Sequence, residues 1–174
     1  METKVPFYNV VNILIPGLVF IGASAFLFLD KIKDLAINIT TLGSTSLEVL
    51  LTVASFAIAY EVGYIIFRLG AAIIEPILKK MFGWREYSEF VAARKAGAES
   101  LDTLSREYGY ARTHITLFVA LVLIAAIRAQ WMMMSICLIF VILFTLTARG
   151  HIKKIIATVD RYLPQAIIET TQES

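Results

Sequence analysis

An all-α membrane fold follows from three observations on the sequence. Hydrophobic residues fill 58% of the 174 positions and the mean hydropathy is +0.74, above the roughly 45–50% apolar share of soluble domains. That excess is gathered into long blocks and does not alternate along the chain. The blocks are long enough, at ~20 residues each, for helices that cross the roughly 30 Å hydrocarbon core of a bilayer. Together these features predict an integral membrane four-helix bundle, with both termini and a short helical segment in the cytoplasm. The predicted division is spans one and two in 1–75, a cytoplasmic helical segment in 76–112, spans three and four in 113–148, and a cytoplasmic amphipathic tail in 149–174.

The first apolar run, 10–29, contains Asn12, Ile15-Pro16-Gly17 and Gly22. Proline inside a spanning helix frees a carbonyl and kinks the helix. A signal peptide is the competing reading, since Ala23-Ser24-Ala25 resembles a cleavage site. The run exceeds the usual ~7–15-residue apolar region of such peptides, so a retained helix is expected. Residues 30–46 read as a loop, and Asn38-Ile39-Thr40 in it matches the N-glycosylation pattern.

The second run, 47–67, organises the chain. It carries Glu48 at its outer end and Glu61 inside, and the helix is expected to continue through Arg68 toward Glu75-Pro76. On a helical wheel Ser55, Ala59 and Gly63 fall along one side, four apart. This is a small-xxx-small seam, which lets another helix approach closely in lipid. Glu61, Tyr64, Arg68 and Glu75 fall along the opposite side as a polar stripe that lipid does not tolerate. Two faces unsuited to lipid predict a bundle that assembles into a homo-oligomer.

In the middle segment Trp84, Tyr87, Phe90, Val91 and Arg94 recur at helical spacing, Gly97 interrupts, and Leu101, Leu104 and Tyr108 resume. The resumed helix is expected to run into the third span, which ends at Ile127. A tight turn at 128–130 leads to the fourth span at Trp131, an interfacial anchor beside a snorkelling Arg128. Met132, Met133 and Met134 point three ways on a helix and read as packing, as does the single cysteine, Cys137. The tail places Ile152, Ile155, Ile156, Val159, Tyr162 and Leu163 on one side, with Pro164 expected to end its helix. It is expected to lie along the membrane surface or to dock on the middle segment.

Charge placement sets the orientation. Thirteen of the sixteen Lys and Arg residues fall before the first span, between the second and third, or after the fourth, and three fall in the two hairpin turns. The positive-inside bias therefore puts both termini and the middle segment in the cytoplasm. The net charge of +2 gives no reason to expect nucleic-acid binding. His114 and His151 lie on different elements, with no Cys/His/Asp cluster at metal-ligand spacing. No phosphate loop, nucleophile elbow or Arg-x(4–6)-His ribonuclease pair is present, so no catalytic residue, metal or cofactor is expected. The remaining cluster is Ser105-Arg106-Glu107-Tyr108, followed by Tyr110 and Arg112. It reads as a membrane-surface belt of aromatics and arginines or, more sharply, as a docking surface for an anionic ligand or partner.

Three stretches carry a resemblance. They are Pro6-Phe7-Tyr8-Asn9 with Ile15-Pro16-Gly17, Gly63-Tyr64 with Arg68-Leu69-Gly70 and Glu75-Pro76, and Arg106-Glu107-Tyr108 with Arg112. The chain resembles the small four-helix membrane proteins carried beside bacterial anti-phage genes, the membrane subunits of Kiwa systems first and the membrane accessory proteins of type VI CRISPR loci second. The resemblance implies a multi-pass protein of the bacterial inner membrane that forms a homo-oligomer and works with a cytoplasmic effector protein. The expected function is non-enzymatic, sensing or perturbing the lipid bilayer. The alternative is a small channel or transporter subunit in which Glu61 serves as a proton or cation site.

Overall fold

The computed structural model describes residues 7–28 and 45–172, with side chains placed within 10–28 and 49–163. Its elements are α1 (Phe7–Leu27), α2 (Thr45–Leu69), a π-helical turn (Gly70–Ile74), α3 (Glu75–Phe82), α4 (Tyr87–Lys95), α5 (Ser100–Ile127) and α6 (Trp131–Gln172). Four stretches are long and apolar enough to cross a membrane: Val10–Leu27, Val49–Phe82, Ser100–Ile127 and Trp131–Leu163. The predicted 30–46 loop lies outside the described residues, apart from the last two, which open α2.

Small residues decide how α1 meets α2. A Cβ on Gly17 would overlap the Ala59 carbonyl, and one on Gly63 would overlap the Ile13 carbonyl. The two backbones therefore touch at a reciprocal crossing, with Ala59 fully buried and Pro16 buried beside it. The predicted seam on α2 is thus used inside the chain and does not face a second copy. Ser55, its third member, stays exposed and donates to the Leu51 carbonyl at 2.8 Å. Periodicity shows that a face is small, and the fold shows that α1 is the helix that fills it.

Between α5 and α6 the packing is aromatic. His114 stacks on Phe144 at 4.7 Å between ring centroids, and Phe118 stacks on Phe140 at 4.7 Å. Hydroxyls along these helices return to their own backbone, Thr116 to the Arg112 carbonyl and Thr145 to the Val141 carbonyl, which is how an apolar environment tolerates them. The connecting turn falls at 128–130 as predicted. Gln130 N–H donates to the Ala125 carbonyl and Ala129 N–H to the Ala126 carbonyl, a Schellman closure with Ala129 left-handed at φ 51°.

The charged end of the bundle carries a helical head. Its core gathers Leu78 of α3, Ala93 of α4, Leu101 and Tyr108 of α5, and Ile152, Ile155 and Val159 of α6. The middle segment and the tail thus complete each other's core, and the tail takes the docking alternative. Gly97 breaks the α4–α5 connection at φ 91°, a left-handed backbone that favours glycine. Arg85–Asp160 at 2.7 Å and Arg94–Asp102 at 2.9 Å tie the head's surface. One boundary differs from expectation, because α6 does not stop at Pro164 but continues to Gln172. Proline lacks the N–H that would bond the carbonyl four residues back, that of Asp160, yet the helix runs on through it. At ~1.5 Å per residue the 42 residues of α6 run about 63 Å, roughly twice a hydrocarbon core. One rigid rod therefore belongs to both the apolar bundle and the head.

Candidate functional site

The π-helical turn sets the geometry where bundle and head meet. Arg68 and Glu75 are seven residues apart and would share a side of an unbroken α-helix. A π turn takes in one extra residue and rotates all that follows by about 100° relative to that register. Glu75 accordingly leaves the predicted stripe and faces α5, where Arg112 Nη1 donates to its Oε2. Lys79 Nζ holds the other carboxylate oxygen at 2.7 Å. Arg112 keeps only 9% of its side-chain exposure and Glu75 22%. Gly70 makes the approach possible, since a Cβ there would stand 2.7 Å from Thr116 Oγ1.

Beside this ion pair lies a cleft of about 380 Å³ between α1, α2 and α5. Asn12, Phe67, Ser105, Arg106, Gly109 and Arg112 are among its walls. The Arg112 guanidinium lies 5.2 Å from the Phe67 ring centroid. Its Nε is buried with no acceptor among the described residues. Arg106 is held at the rim by the Asp102 carbonyl at 3.2 Å and Thr103 Oγ1 at 3.3 Å.

The structure regroups the predicted residues. Tyr64 and Arg68 remain together, with Arg68 Nε donating to the Tyr64 hydroxyl at 2.8 Å. Glu75 joins Arg112, a member of the other predicted cluster. The Arg106–Arg112 cluster does not form one surface. Tyr108 is buried in the head at 5.3 Å from Trp84, Glu107 approaches His151 Nδ1 at 3.3 Å, and Arg106 borders the cleft. Glu61 is exposed on α2 between exposed Ile58 and Ile65, its neighbours at i−3 and i+4, and its carboxylate has no hydrogen bond or ion pair among the described residues. Ser105 belongs to the predicted cluster, whereas Gly109 and Thr113 lie outside it. With Arg112 the three fall at i, i+4, i+8 and i+7, one polar or small face of a helix, which is the signal that would have found the last two.

Among the described residues no group of three or more His, Cys, Asp or Glu is placed to hold a metal ion. Fold and site define the class: among the described residues, an all-helical arrangement with four helices long and apolar enough to cross a membrane and a polar junction beneath a helical head. No family model, curated protein or solved structure matches the chain.

Proposed function

We propose that the chain is a non-enzymatic, oligomeric component of the bacterial inner membrane that senses or perturbs the bilayer and couples to a cytoplasmic effector in anti-phage defence. The observation that carries the assembly is Glu61. It lies six residues from Phe67 of the polar junction, about 9 Å along the helix toward the apolar part. A carboxylate exposed at that depth is costly against lipid and demands a protein or water partner. A second copy that covers the Glu61 face of α2 supplies one.

Coupling rests on the rods. α5 and α6 run unbroken from the apolar bundle into the head, so a tilt in the membrane moves the surface a cytoplasmic partner would read. The charge bias supports a cytoplasmic head, and the resemblance to membrane proteins of anti-phage loci supports the biological setting. The channel or transporter reading draws on the same Glu61, lining a path shared between copies.

Phage plating separates the two. A host carrying the gene with its genomic neighbours should resist phage, and deleting this gene alone should abolish resistance. An intact locus that protects against no phage, with a solute-uptake defect on deletion, would favour the transporter.

A further inference from the structure

We propose that the cleft between α1, α2 and α5 binds the phosphate headgroup of an anionic phospholipid from the leaflet nearest the head. The inference rests on the membrane placement proposed above and goes beyond it by naming a ligand.

Depth comes first. Arg112 and Arg128 are sixteen residues apart on one helix axis, about 24 Å. With Arg128 at one boundary of a roughly 30 Å hydrocarbon core, the cleft straddles the opposite boundary, where phosphates sit: Arg112 is about 6 Å inside it and Arg106, six residues further along the helix, about 3 Å outside. Chemistry follows. Arg106 and Arg112 bring two guanidinium groups to the cleft, and Asn12 and Ser105 bring an amide and a hydroxyl. Glu75 offsets one positive charge and is shared between Arg112 and Lys79. Arg112 is nine-tenths buried, and its Nε lacks an acceptor. A phosphate oxygen supplies the acceptor that a planar guanidinium fork matches.

The remaining walls select a lipid over a soluble phosphate. Ile13 and Phe67 are apolar. Val10, three residues from the wall residue Ile13 and so on the same side of α1, is exposed and offers an acyl chain a path along that helix. Gly109 leaves the space open, because a Cβ there meets nothing within 4 Å. A larger side chain at 109 would therefore fill the cleft without striking the scaffold at its first carbon.

The test uses the full chain purified from the membrane fraction in detergent. Phosphatidylglycerol, phosphatidylcholine and inorganic phosphate are titrated separately, with native mass spectrometry counting bound lipid and thermal unfolding reporting stabilisation. Wild type should bind phosphatidylglycerol about tenfold more tightly than phosphatidylcholine. Arg106→Gln should lower that preference, and Gly109→Leu should remove it while still unfolding cooperatively. Ser105→Leu blocks the cleft independently and should act as Gly109→Leu does. Equal binding of the two lipids, or unchanged phosphatidylglycerol binding in both blocked variants, would overturn the site. Stabilisation by inorganic phosphate equal to that by phosphatidylglycerol would overturn the lipid assignment. Failure of lipid selectivity in a chain recovered from membranes leaves the membrane placement standing, whereas recovery from the soluble fraction removes both.

Discussion

Removing either partner of the Glu75–Arg112 pair deletes the same bond, yet the two losses should differ. Arg112 retains 9% of its side-chain exposure and meets no other acceptor among the described residues, whereas Glu75 retains 22% and keeps Lys79 at 2.7 Å. Breaking a buried pair typically costs 3–5 kcal/mol because it strands the other charge. Glu75→Leu strands Arg112 and should cost about 3 kcal/mol, at the low end because Arg112 sits beside a cleft that admits water. Arg112→Met preserves the stem that packs near Gly70 and leaves Glu75 with Lys79, so about 1–2 kcal/mol is expected. The double variant should recover part of the larger loss, since no buried charge remains unpaired. Thermal unfolding in one detergent, followed by Trp84 fluorescence in the head, measures all three. An Arg112→Met variant as unstable as Glu75→Leu, or strictly additive losses in the double variant, would refute the reasoning.

Three further expectations concern packing. Gly63→Leu forces α1 from α2 at a backbone contact and should cost more than about 3 kcal/mol, while Ser55→Ala on the same predicted seam stays within about 0.5 kcal/mol; expression yield and unfolding temperature check the contrast. Tyr108→Phe removes a buried hydroxyl without a partner among the described residues, and unfolding curves should show a gain of about 1 kcal/mol. Ala129→Gly relieves a left-handed alanine at φ 51° and should raise stability by up to about 1 kcal/mol, with an unchanged unfolding temperature as the contrary result.

The parts of this architecture set by local pattern were legible in the sequence. Apolar length gave four membrane-capable helices, Trp131 and the polar 128–130 stretch marked the turn, and the spacing of Ile152, Ile155 and Val159 gave the buried face of α6. What depended on a partner was not legible. Ala59 and Gly63 read as a seam, but only the fold shows Gly17 seated against it. Glu75 was placed on the stripe by counting at 3.6 residues per turn, and the π turn at Gly70–Ile74 broke that count. Its partner Arg112 is thirty-seven residues away, beyond any periodic argument. The cleft escaped notice for the same reason, since its walls come from three helices. Pro164 marked a stop by rule, yet the helix runs on through it to Gln172.

The central claim is that the exposed Glu61 face is covered by another copy of the chain, and particle mass tests it most directly. Detergent-corrected light scattering on the purified wild type should give a protein mass that is a multiple of 19.4 kDa. Glu61→Leu should change the distribution of species. Wild-type particles of a single 19.4 kDa chain at all concentrations, with Glu61→Leu identical to them, would contradict the account.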